Sequence, residues 1–148
     1  MCLFIKPDQE ENEEDLRRWF KSHHKWFGVH KGFAYVYKVL VKKPNEDFYR
    51  SPRFPDYKWD FNNQKVFQVR RSHKPTQEEL ENRSIEIGLH VYTHLESMKP
   101  YLDSNEVVVK FRVRKENIVA IENNYKVKKY NFEEAVCTKL EFVKVIEN

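Results

Sequence analysis

Residues 107–114, Val-Val-Val-Lys-Phe-Arg-Val-Arg, set Val109, Phe111 and Val113 two apart, with Lys110, Arg112 and Arg114 between them. Alternation of this kind separates apolar from charged side chains only on an extended strand, where successive side chains point to opposite faces. The run at 33–42 repeats the pattern with β-branched and aromatic residues: Phe33, Tyr35, Tyr37 and Val39 alternate with Ala34, Val36 and Lys38. Two long half-buried strands commit the chain to a sheet with an apolar side that something else must cover. Further strands are expected at 1–5, 65–70, 85–91, 117–121 and 136–146. Most of the connections are shorter than the dozen or so residues of a helical crossover, so the sheet is expected to be largely antiparallel.

The cover comes from helices. Leu16, Trp19, Phe20 and His23 recur at spacings of three and four, and Gly28 follows as a stop, which predicts a helix over about 9–23. Thr76-x-x-Glu79 and Thr93-x-x-Glu96 are capping boxes, predicting short helices at 77–82 and from near His94. Residues 44–63 hold three prolines and six aromatics without a period, as an ordered loop whose rings pack on the body. A chain of 148 residues suits one core. The expectation is a single α+β domain over 1–148, a mostly antiparallel sheet with an N-terminal helix and short capped helices.

Several classes of function fall away. No run approaches the roughly 18 apolar residues of a membrane span. The start, Met-Cys-Leu-Phe-Ile-Lys-Pro, lacks the basic and apolar regions of a signal peptide, so a cytoplasmic protein with no membrane partner is expected. Cys2 and Cys137 belong to no Cys-x-x-Cys pair and are expected to be free, buried thiols. With the cap at Thr93, His90 and His94 fall on different elements. Along a strand their separation is about 13 Å, too far to share a metal. No metal and no cofactor is expected. Gly-x-Ser-x-Gly, Gly-x-x-x-x-Gly-Lys and His-Glu-x-x-His are all missing.

One block has an unusual composition. Asp8 to Asp15 carries six acids, and residues 17–33 then carry five Lys or Arg, three His and five aromatics. Cations neutralise phosphates while aromatic faces stack on exposed bases, so this interleaving suits a single-strand binding surface. The same residues also read as a helix with an apolar core face and a solvated basic side paired to the acids before it. For the binding reading the candidates are Arg17, Arg18, Lys21, Lys25 and Trp26, with Lys110 and Arg112 on the long strand. Arg70, Arg71 and Lys74 form a further basic row. The formal charge of +4 permits an anionic partner.

Tyr37–Leu40, then Gly88–Ser97 (Gly-Leu-His-Val-Tyr-Thr-His-Leu-Glu-Ser), then 107–121 and the closing Thr138–Ile146 resemble small uncharacterised proteins of bacteria and their phages. The order of a first strand, a glycine-containing middle strand and a valine-rich strand also distantly resembles ADP-ribosyltransferase-type folds. That resemblance implies a first-strand Arg or His near Tyr37 or Lys38, a middle aromatic near His90 or Tyr92, and a terminal catalytic Glu that the sequence does not place. No Ser-Thr-Ser stretch follows the first strand. Two functions are therefore carried forward. One is a binding module for nucleic acid or a host or defence protein. The other is an ADP-ribosyltransferase-like enzyme using NAD or a nucleotide at Tyr37, His90 and Tyr92. In a third possibility, the aromatic loop at 48–61 inserts into a partner protein.

Overall fold

The computed structural model describes residues 3–27, 30–52, 54, 56–95, 102–122 and 134–146, with 25–27, 30 and 31 described by their backbone. Helix α1 runs from Gln9 to His23. Asp8 caps it by accepting the Glu10 N–H at 2.9 Å, Glu10 and Glu11 fill the first turn, and Lys21 and His23 fill the last, so charge opposes the helix dipole at both ends. Helix α2, Gln77–Asn82, carries the expected capping box, with both Thr76 and Glu79 side chains engaged.

Twelve strands are described: β1 (Leu3–Phe4), β2 (Lys25–Phe27), β3 (His30–Val41), β4 (Tyr49–Arg50), β5 (Lys58–Trp59), β6 (Val66–Gln68), β7 (Ser84–Ile85), β8 (Leu89–Tyr92), β9 (Glu106–Arg114), β10 (Ile118–Ile121), β11 (Glu134–Cys137) and β12 (Lys139–Ile146). The main sheet has the order β10-β11-β8-β3-β9-β12-β6, with β2 and β4 also on β3 and β5 on β4. Every pairing is antiparallel. The fold is α+β, as the alternating runs and short connections predict. Among the described residues no helix is long and apolar enough to cross a membrane.

Strands β3 and β9 form the spine, paired without a break from Phe33↔Arg114 to Val41↔Glu106. On the other side of β3 the pairing is interrupted. β2 meets its beginning, Val41 alone pairs with β4, and β8 touches it at Tyr37↔Tyr92. The sheet is nearly split between β3 and β8, and that split positions the site.

Ala34, Val36 and Leu40 of β3 and Val109, Phe111 and Val113 of β9 point into the main core, where Trp19 of α1 and Trp59, Phe61 and Phe67 join them. A smaller core of Leu3, Ile5, Ile85, Val119, Ala120 and Val136 lies between the β1–β7 pair and β10–β11. Burying β10 on both sides explains why Ile118–Ile121 is uninterruptedly apolar.

Three expectations change. The strand at 85–91 is two strands, because Gly88, at φ +150°, turns the chain between β7 and β8 and sends them to different sheets. The strand at 136–146 breaks at Thr138. Its N–H donates to the Asn117 carbonyl at 2.8 Å and its own carbonyl accepts the Val69 N–H at 3.0 Å, so both leave the ladder. The segment 25–27, read with the basic block, is a strand on the edge of β3. The helix expected near His94 falls mostly outside the described residues, and Thr93–Leu95 before it is a bend. Cys137 is a free, buried thiol, as expected, and burial pushes it up to about 12. Cys2 lies outside the described residues.

Candidate functional site

A cleft of about 780 Å³ opens at the split between β3 and β8. Its floor is Lys38 with Leu89, Val91 and Tyr92, and its outer wall is the loop carrying Phe54, Tyr57 and Trp59. The loop is held by the indole of Trp59, which donates to Ser51 Oγ at 2.9 Å while its ring packs against Phe67, centroids 4.6 Å apart. A large apolar cleft with a few convergent polar groups is where a small-molecule site is most often found.

Lys38 is the most consequential of those groups. It occupies the core-facing parity of β3, between Val36 and Leu40, so its stem runs into the interior. Nζ crosses the split and donates to the His90 carbonyl at 2.6 Å, and it stands 5.4 Å from the Trp59 ring centroid. Among the described residues this carbonyl is its single hydrogen-bond acceptor, whereas an ammonium has three donors. Burial pulls its pKa down to about 8, partly offset by Cys137 and Glu134.

Two acids meet at the edge of this cleft. Glu134 lines it and stands opposite Tyr92 in the β8–β11 register. Glu122 is buried beside it, and burial raises its pKa, opposed by hydrogen bonds from the Phe4 backbone and with the Glu134 side chain. His90 donates from Nε2 to the Glu86 carbonyl at 2.8 Å, which fixes its ring on the approach to β8. Gly88 is required there, since a Cβ would stand 2.3 Å from Val136 Cγ1. Arg71 braces the same turn by donating to the Ile87 carbonyl at 2.7 Å and to both oxygens of Glu79 at 2.9 and 2.7 Å.

Of the residues expected at a catalytic site, His90 and Tyr92 line the cleft. Tyr37 pairs with Tyr92 in register, so both side chains fall on the face opposite Lys38, and of the two Tyr92 is the one that lines the cleft. Of the basic candidates, Arg17 and Arg18 are exposed on α1 and both approach Glu14, at 2.5 and 3.9 Å. Lys21 is exposed on the same helix, and Lys25 and Trp26 lie on β2. Lys110 and Arg112 lie on the solvent side of β9. Lys110 Nζ stands 3.8 Å from the centroid of Tyr35, and Arg112 pairs with Glu141 at 3.0 Å. His94 meets the ring of His23 edge-on at 5.3 Å. Among the described residues no group of three His, Cys, Asp or Glu could hold a metal ion. Sequence reasoning missed Glu134, and it singled out the aromatic loop at 48–61 but not its place as the wall of this cleft, which comes about only through long-range pairing. Lys38 had a local signal, a charge at the same parity as Ala34 and Val36.

Compared with known proteins, the chain matches no family model, no curated protein and no solved structure.

Proposed function

We propose that the cleft binds a nucleotide and that the protein acts as an ADP-ribosyltransferase-like enzyme on NAD or a related nucleotide. The observation that carries the reading is that Lys38, His90, Tyr92 and Glu134, from three strands, all line one apolar-walled cleft, Lys38 from the core-facing parity and the other three from the opposite one. The resemblance implies a first-strand cation, a middle aromatic and a terminal acid. Lys38, Tyr92 and Glu134 are residues of those types on successive strands around the split. Phe54 and Tyr57, both exposed on the cleft wall, offer ring faces for a planar base, and Lys38 offers donors for a diphosphate or a ribose hydroxyl.

The chemistry asks little more of the site. Breaking the bond between ribose C1′ and nicotinamide sends the bonding electrons out with the neutral ring and leaves positive charge on the sugar. A carboxylate at Glu134 would oppose that charge as it develops, the role acids play in glycoside cleavage. An acceptor nucleophile then bonds to C1′ and gives up its proton to solvent.

The test is differential scanning fluorimetry with NAD, followed by chromatography of released nicotinamide. NAD is expected to raise Tm, and Glu134→Gln is expected to suppress nicotinamide release while keeping the thermal shift. If NAD, ATP and ADP-ribose all leave Tm unchanged and no nicotinamide appears, the reading is wrong.

A further inference from the structure

The face of the sheet turned away from the main core has a different chemistry. Phe33, Tyr35 and Tyr37 alternate along β3 with the fully buried Ala34 and Val36, so all three rings emerge on the outer side, half-buried. Across the ladder they stand opposite Arg114, Arg112 and Lys110 respectively. The cations lean diagonally over the rings: Lys110 Nζ is 3.8 Å from the Tyr35 centroid and Arg112 Cζ is 5.9 Å from that of Phe33. Phe33 and Tyr35 meet edge to face at 5.3 Å. On the next strand Lys144 is opposite Lys110 and Glu141 is opposite Arg112, and on the other side of β3 the Tyr37 row continues through Tyr92 to Glu134. Arg112, Arg114 and Lys144 are exposed.

We infer that this outer face of β3 and β9 binds single-stranded nucleic acid, with bases stacking on Phe33, Tyr35 and Tyr37 and phosphates meeting Lys110, Arg112 and Arg114. Rings two residues apart on a strand are about 6.6 Å apart, and a sheet that presents two or three such rings is a known way to hold splayed bases. The cation beside each ring meets the backbone of the same nucleotide. A duplex keeps its bases stacked on each other and offers the rings nothing, so charge alone would hold it. The surface also differs from the helix. Trp19 shares its core with Ala34, Val36 and Phe111, which point away from this face, so Arg17 and Arg18 of α1 lie on the other side of β3. The inference is independent of the cleft reading.

Fluorescence anisotropy with a labelled oligo-dT strand and a duplex of equal length, titrated over a salt series, tests it. The strand is expected to bind with a log–log salt slope of about −2 to −3, as for three or four phosphates, and the duplex at least about tenfold more weakly. Tyr35→Ala is expected to weaken strand binding roughly 5- to 100-fold. Because Tyr35 is half-buried, Lys110→Gln and Arg114→Gln on the surface serve as the second test, each flattening the slope by about 0.7. Arg17→Ala with Arg18→Ala should change neither affinity nor slope. The NAD thermal shift is expected to persist in Lys110→Gln, so failure here is distinguishable from failure of the cleft. No binding at about 50 mM salt, equal affinity for strand and duplex, or a slope that responds to the helix pair instead of the strand pair would overturn the inference.

Discussion

Gly88→Ala concentrates the demands of the fold on one atom. The new Cβ would lie 2.3 Å from Val136 Cγ1, well inside contact distance, and Val136 is fully buried in the smaller core, so neither partner has open space to move into. The backbone adds its own strain, since φ is +150° and an L side chain rarely adopts it. Backbone strain costs about 1–3 kcal/mol and overpacking a further 1–3 or so, so the substitution is expected to cost roughly 2–6 kcal/mol. That is a large part of the 5–15 kcal/mol or so that holds a domain folded. Urea unfolding, followed by tryptophan fluorescence, reads the loss, because Trp19 and Trp59 are buried. A second substitution separates the two causes. Val136→Ala removes the clashing atom but leaves φ alone, so the double variant should be less destabilised than the sum of the singles by about 1–3 kcal/mol. A loss under about 1 kcal/mol for Gly88→Ala, or additivity within about 0.5 kcal/mol, would refute the claim that this turn is fixed by close packing on β11.

Two other perturbations read the site through stability. The folded state holds Lys38 at about 8, against 10.5 for an ordinary lysine. The unfolded chain therefore binds more protons between those values, and the cost of burial is full below about pH 8 and fades as pH rises toward 10.5. Lys38→Met is expected to be more stable than the parent at pH 7 by up to about 3 kcal/mol, with the gap closing by about pH 10. Urea melts of both proteins at the two pH values check it, and a gap that does not change with pH would show that Lys38 is not desolvated. Arg71 carries side-chain exposure of 5% and joins Glu79 to the carbonyl of Ile87. Arg71→Ala should cost about 3–5 kcal/mol, and Arg71→Lys should recover less than half of it in the same melts, because an ammonium cannot span both partners.

Local signals were legible where one element decides its own structure. Asp8 and Thr76 cap their helices, and the alternation at 107–114 becomes β9 with the boundaries Glu106–Arg114. What was not legible depends on partners distant in sequence. Thr138 is an ordinary strand residue by composition, yet its backbone is drawn off by Asn117 and Val69, and the strand divides. Residues 85–91 look continuous until Gly88 is known to sit against Val136. The cleft has the same origin. Lys38 breaks the apolar parity of β3, a visible anomaly, but Glu134 and Trp59 join it only through the β8–β11 and β4–β5 pairings.

Strand β3 serves both candidate sites, and the physics of a ladder explains how it can. With a side-chain period of two, Lys38 faces the cleft while Phe33, Tyr35 and Tyr37 face solvent, and a slip of one residue would exchange the two sets. Nine consecutive pairs with β9 hold the register. The slip would also bury Lys110 and Arg112 among Phe67 and Leu140 and expose Phe111, at several kcal/mol per unpaired charge. The alternation that first commits the chain to a sheet therefore also keeps Lys38 apart from the three outer rings. Surface substitutions such as Lys110→Gln and Arg114→Gln leave the buried parity untouched, so the two sites can be tested separately.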